Sequence, residues 1–397
     1  MLLDEALDLI LSHAKVSGRQ ELPLADCFGR VCCRDNNANH PLPGYDQSAR
    51  DGYAVCGPGS SSDGKHQTFP IKGEIQAGLC HEITIGSGEA YQIMTGGLLP
   101  IGTERVIAQE DCQIAGAELI VGNTMLCSSA LNIRTRGGEY QLGAQLVDAG
   151  TRLNESHLAL LAAAGNHLIE VFERPRVAFF CSGSELVMAD EQVKNGQKYS
   201  SNHLLLESLV KKFGGQAKGF GVVADERVAI GELLQTIKDS NADIVISTGG
   251  VGPGKFDLFG ELLPDCGAQI LYQSLHIRPG RSTLFGLLDD KLYFGLPGPP
   301  TAVRVLFLEL LCPLLRKMQG MRFFHNQRLQ AALDHPISLK SSRAICFKEG
   351  VYRHDGGRVV VGYPCERQTP NCSIMIMPGR VSYDKGDQVL VSIAQTD

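Results

Sequence analysis

Residues 242–257, ADIVISTGGVGPGKFD, place the strongest constraint on how this chain folds. Ile244, Val245 and Ile246 form a short β-branched apolar run, the composition of a strand buried on both faces of a sheet. The run stops at Ser247 and Thr248, and Gly249, Gly250, Gly252 and Gly254 follow. Glycines at that density let the backbone turn sharply and bring its N–H groups up to a ligand. Asp257 is placed to cap a helix over 258–263. The stretch reads as strand, glycine loop, helix. Taken alone it suits an empty βα connection as well as a ligand loop, so the remainder of the chain decides.

At 397 residues the chain is too long for one ordinary domain. A hydrophobic fraction of 43% with 20% charged residues is that of a folded globular protein. The net charge of −6 leaves no electrostatic footprint for nucleic acid. The most apolar stretch, 303–315, is interrupted by Arg304, Glu309 and Pro313, and the N-terminus carries acids where a secretion signal needs bases. No membrane segment is expected, and a cytoplasmic location is. The 13 cysteines are odd in number and contain no CxxC pair. Cys32 and Cys33 are adjacent, so on a strand they point to opposite faces rather than share a zinc ion. They read as reduced core residues.

Taken in order, the chain opens on an amphipathic helix with Leu2, Leu3, Ala6, Leu7 and Ile10 at helical spacing. A turn-rich passage around Pro41 and Pro43 leads into residues 45–55, YDQSARDGYAV. Polar loops of this kind often carry function, although the spacing alone favours an Asp-Gly turn between strands. From 68 to 146 short alternating runs are separated by glycine and proline turns, which predicts a mainly β domain. Within it, Met94-Thr95-Gly96-Gly97 is a second small polar loop, and Arg134 and Arg136 lie beside paired glycines in a setting that suits either solvent or an anion. An alanine and leucine helix over 156–164 ends at Gly165.

Beyond Arg174-Pro175 strands alternate with helices: a strand over 176–181, a helix over 202–213, a strand over 216–223, a helix over 225–239, then the glycine loop. This predicts a parallel α/β domain. In such sheets ligands bind at the carboxyl ends of the strands. The loops expected there are Ser182-Gly183-Ser184-Glu185, the approach to Asp225, the glycine loop, Arg278-Pro279-Gly280-Arg281 and Gly295-Leu296-Pro297-Gly298-Pro299-Pro300. All are polar or glycine-rich, and several carry carboxylates or guanidinium groups.

Several of these stretches, in this order, resemble the MoeA and gephyrin E-domain family of molybdopterin molybdenumtransferases. PLPGYDQSARDGYAV resembles the family's PLPxxDNSAMDGYAV, IMTGGLLP its MTGAPLP, and NIRTRGGEYQLG its NIRRxGEDxxxG. CSGSEL is similar to STGDEL, STGGVGPGKFD to SSGGVSVGxxD, IRPGRS to xKPGKP, and GLPGPP to GLPGNP. The C-terminal part matches least, with no clear counterpart of the family's Gln-Gly-Ser motif over 363–377.

The resemblance implies a multidomain α/β plus β fold. It expects a discontinuous linker domain over 1–44 and 137–171, a mainly β domain over 45–136, an α/β molybdopterin-binding domain over 172–320 and a small barrel-like β domain over 321–397. It also implies insertion of molybdenum from molybdate into adenylylated molybdopterin, with release of AMP and assistance from Mg2+. By family position Asp51, Glu185, Asp225 and Asp257 are catalytic, with Asp257 also the metal ligand. Thr95, Ser247, Thr248, Gly249, Gly250, Gly252, Arg278, Arg281, Pro297 and Pro300 bind substrate. A homodimer is implied, with a molybdopterin adenylyltransferase and molybdoenzyme apoproteins or their chaperones as partners.

Departures fall inside this site. Ser184 stands in place of Asp, Pro299 in place of Asn, Gly252-Pro253 in place of Ser-Val, and Arg278 and Arg281 in place of lysines. The sequence therefore also fits a relative that binds a pterin nucleotide or a protein partner without turnover.

Overall fold

The computed structural model describes residues 1–61, 63–78, 82–252, 258–340, 343–365 and 368–394. Its centre is a six-stranded sheet in the order Gln216–Val223, Arg176–Ser182, Ile244–Thr248, Lys291–Leu296, Ser282–Leu288, Ala268–Ser274. The Ile244–Thr248 strand is fully buried, as its β-branched run requires. It lies parallel to Arg176–Ser182 on one side and to Lys291–Leu296 on the other. The helices Ser201–Lys212 and Arg227–Lys238 cross between the parallel strands.

The sheet departs from the all-parallel expectation at one edge. Ser282–Leu288 runs antiparallel to both Lys291–Leu296 and Ala268–Ser274. The cause is local: only Asp289 and Asp290 separate Leu288 from Lys291, and Asp289 takes a left-handed φ of 54°. Two residues can close a hairpin but cannot make a crossover to a parallel strand.

The opening helix Leu3–Ser12 packs its buried face, Leu3, Ala6, Leu7, Ile10 and Leu11, into the α/β core beside Phe285 and Phe294. Arg328 ties Asp4 of that helix to the C-terminal region at 2.8 Å. Sequence-adjacent segments 19–23 and 36–37 instead pair with Leu168–Phe172 and Gln145–Val147 around a separate small core of Cys27, Cys32, Leu153 and Val171. All cysteines among the described residues are free, and no helix there is long and apolar enough to cross a membrane.

The N-terminal β region is a six-stranded sheet in the order Arg105–Ala108, Gly52–Val55, Ala90–Ile93, His66–Ile75, Glu118–Gly122, Cys112–Ala115. Gly52 is not in an Asp-Gly turn. It opens a strand pressed so closely on its neighbour that a Cβ there would lie 2.0 Å from the Ile107 carbonyl oxygen. In the C-terminal region, Gln327–Leu333, Arg358–Gly362, Ile345–Asp355, Cys372–Ile376 and Gln388–Ile393 pair successively and close on themselves as a small barrel. The strand Ile277–Arg278 of the α/β domain joins this barrel beside Ile345 and Cys346, which couples the two cores.

The helix following Gly298 runs from Pro300 to Leu306, passes through a π-helical turn at Phe307–Leu311 and continues to Met318. Its bulge buries Glu309, and burial pushes that carboxyl up to about 7 even with Arg328 nearby.

Candidate active-site cleft

A cleft of about 430 Å3 opens at the carboxyl ends of the parallel strands. The loop after Arg176–Ser182 contributes Gly183 and Glu185, the end of Gln216–Val223 leads to Asp225, and the central strand contributes Thr248, Gly249 and Gly250. Gly298, Pro299 and Pro300 close it on another side.

Gly249 has a φ of +94°, and a Cβ on it would sit 2.4 Å from the Ser182 carbonyl oxygen. No side chain fits that path, and the Gly249 N–H donates to the Leu296 carbonyl at 2.9 Å, which ties the start of the loop to the neighbouring strand.

The carboxylates are held by their neighbours. The Ser182 hydroxyl donates to Asp225, and the Asp225 N–H donates to the Ser184 hydroxyl at 3.2 Å. Ser184, present where the resembled pattern has Asp, therefore supports the loop of another acid. Glu185 pairs with Lys198 at 3.2 Å. These are hard oxygen donors of the kind Mg2+ takes. Asp225 and Glu185 both line the cleft, but among the described residues no group of three His, Cys, Asp or Glu side chains is placed to hold a metal ion. Asp257 lies outside the described residues, as do Pro253, Gly254, Lys255 and Phe256.

Not every expected residue enters this cleft. Ser247 is fully buried within the sheet, and its hydroxyl meets the Tyr293 hydroxyl at 2.7 Å. Burial pushes the Tyr293 phenol up, so it stays protonated. Gly252 and Arg281 line a second cleft of about 430 Å3 with Gln273, Ser274 and Ser282. Arg278 lines a third, of about 500 Å3, between the α/β domain and the barrel, with Cys346, Lys348, Glu349 and Tyr363. Two arginines three positions apart in the chain thus serve different cavities. Pro297 is half-buried beside Gly298 and lines none of the three.

Asp51 and Thr95 also lie outside the cleft, and they meet each other. The Thr95 N–H and hydroxyl each donate to Asp51 Oδ1 at 2.7 Å. Those bonds, the backbone one first, hold the Asp51 carboxyl below the usual carboxylate range although it is exposed to solvent. The Tyr45 hydroxyl donates to the Gly96 carbonyl at 3.1 Å, and the Arg136 N–H donates to Asp46 at 2.7 Å. The three polar stretches of the N-terminal half therefore form one loop cluster.

The sequence reading missed Lys198, Tyr199, Ser200 and Asn202, which line the cleft at the start of the helix Ser201–Lys212. The available signal was Ser200-Ser201-Asn202 ahead of a leucine-rich helix, a helix-start pattern that says nothing of a ligand.

Residues 1–165 match the family described as MoeA N-terminal region (domain I and II), and residues 178–317 match the probable molybdopterin binding domain. A molybdopterin molybdenumtransferase from Nostoc sp. is 35% identical over 315 residues, covering 77% of this chain and 72% of the relative. One from Staphylococcus epidermidis is 29% identical over 405 residues, covering 99% and 95%. The crystal structure of a molybdopterin biosynthesis MoeA protein from Pyrococcus horikoshii superimposes with a TM-score of 0.81 at 26% identity, covering 100% of this chain and 99% of that one.

Proposed function

The chain belongs to the MoeA family of molybdopterin molybdenumtransferases and acts in molybdenum cofactor biosynthesis, and we propose that it does so in the cleft at Thr248 and Gly249. Molybdate and adenylylated molybdopterin are the substrates, and AMP is released as molybdenum enters the dithiolene. The observation that carries this placement is the meeting of Asp225, Glu185 and the glycine loop in one cleft at the strand ends.

The residues divide the work by chemistry. The N–H of Gly250 orients a phosphate of the adenylate, while that of Gly249 is held by the Leu296 carbonyl at 2.9 Å. Asp225, steadied by Ser182 and Ser184, keeps its carboxylate facing the reacting phosphate. Mg2+ would be held by Asp225 and, by family position, Asp257, and would offset phosphate charge. Arg281 and Arg278 supply guanidinium groups for oxyanions in the two adjoining clefts. Asp51 and Thr95 are fixed to each other in the β domain and do not line this cleft, which supports a homodimer in which the partner chain presents that loop. A cytoplasmic location accords with the substrates.

The test is purified protein with adenylylated molybdopterin and molybdate, measuring AMP release and molybdenum retention together. Both are expected, in equal amounts. Tight binding of the adenylate with neither AMP release nor retained molybdenum would assign a binding module instead.

A further inference from the structure

One wall of the cleft contains buried polar atoms that have no partner inside the protein. Ser200 is 6% exposed and Asn202 7% exposed, both line the cleft, and neither Ser200 Oγ nor Asn202 Oδ1 makes a hydrogen bond. Thr248, 1% exposed and lining the same cleft, likewise has a hydroxyl without a partner. Buried polar groups are ordinarily hydrogen-bonded, so unpartnered ones gathered in one cleft point to a ligand.

The orientation of the Asn202 amide follows from its neighbour. Its Nδ2 donates to the Gly298 carbonyl at 2.8 Å, and a carbonyl accepts only from the NH2 side, so Oδ1 is the free atom. Ser200 occupies the N-cap position of the helix Ser201–Lys212, yet its hydroxyl makes no capping bond. It is available to something else.

These atoms restrict what they can bind. Asn202 Oδ1 only accepts, so its partner must donate an N–H or O–H. The hydroxyls of Ser200 and Thr248 both donate and accept, and the first N–H groups of the helix only donate. A phosphate offers acceptors alone and would leave Asn202 Oδ1 unpaired, so it does not suit this corner. A planar nitrogen heterocycle whose edge alternates N–H donors with ring-nitrogen or carbonyl acceptors satisfies the whole set.

We infer that Ser200 and Asn202 are specificity-determining residues that read the polar edge of a fused, amino-substituted nitrogen heterocycle. This rests on the reading that the adenylate occupies the cleft, and two parts of that substrate carry such an edge, the pterin and the adenine. With the heterocycle held at the helix start, the phosphates fall to the glycine loop.

The test uses the full-length protein and calorimetric titration with adenylylated molybdopterin, molybdopterin and AMP. Ser200→Ala removes a hydroxyl that makes no bond in the protein, so its thermal midpoint should match the wild type. Its affinity for the adenylate should fall about three- to tenfold. Asn202→Ala should lose at least as much. The loss should also appear with one half-ligand and spare the other: with molybdopterin for the pterin edge, with AMP for the adenine edge. Wild-type affinity in both alanine variants, or equal losses with both halves, would overturn the inference while leaving the transferase function standing. A wild-type protein that does not bind the adenylate would overturn the cleft assignment beneath it.

Discussion

The cleft at Thr248 and the loop cluster at Asp51 are both polar and glycine-rich, and they treat their polar groups in opposite ways. Around Asp51 the hydrogen bonds close internally: Thr95 supplies two donors to one carboxylate oxygen, and Asp46 takes the Arg136 N–H. In the cleft, Ser200 Oγ, Asn202 Oδ1 and Thr248 Oγ1 are buried and unpartnered. A surface whose bonds are satisfied within itself is a shaped, rigid presenter. One that keeps buried groups unpaired is completed by what it binds. The difference is what the proposed site, shared between two subunits, asks of its two halves.

The largest test asks whether the halves join across subunits. Asp51→Ala and Asp225→Ala homodimers should each lose AMP release by on the order of a hundredfold or more. Random pairing of the two chains makes half the dimers mixed, each with one intact site of two, so co-expression should regain about a quarter of wild-type activity. No recovery in the mixture would break the comparison.

A smaller effect is expected at the arginines, which the structure separates into two clefts. Losing a charge-assisted hydrogen bond weakens anion binding by on the order of ten- to a hundredfold. Calorimetry with AMP and with molybdate should give losses of that order in Arg281→Ala and Arg278→Ala, each mainly for one anion. Identical profiles for both variants would argue for a single shared anion site.

The backbone of the cleft can be probed through stability. Gly249→Ala forces a Cβ against the Ser182 carbonyl at a positive φ and should cost about 1–3 kcal/mol in urea unfolding. Gly252→Ala meets nothing within 4 Å and should stay within about 0.5 kcal/mol of wild type. Equal costs would mean that the loop's rigidity is not set at Gly249.

The smallest change sharpens the other side. Thr95→Val removes the hydroxyl bond to Asp51 and keeps the backbone bond, so AMP release should fall by about threefold. The lost bond had lowered the Asp51 pKa, so its removal raises it, and the acid limb of the activity profile should move to higher pH. A limb that stays in place would show that Asp51 ionisation does not control the rate.

Much of this was legible in the chain because it is local. The β-branched run 244–246 is a buried strand, the glycine loop follows it, and the alternation of strands and helices after Arg174 is the α/β domain. Short-range sterics and hydrophobic periodicity determine those features, and the order of the motifs identified the family. The antiparallel edge was present in the two-residue Asp289-Asp290 link but was outweighed by the α/β pattern around it.

What only the tertiary structure decided is which polar residues share a space. Ser247 and Thr248 are neighbours in the chain, yet one faces Tyr293 inside the sheet and the other the cleft, because successive strand residues point to opposite faces. Arg278 joins the barrel while Arg281 turns to the glycine-loop side, and Asp51 finds Thr95 across 44 residues of chain. Ser200 and Asn202 carried only a helix-start signal. Their role emerges from burial without a partner, a property that belongs to the packed chain and to no stretch of sequence.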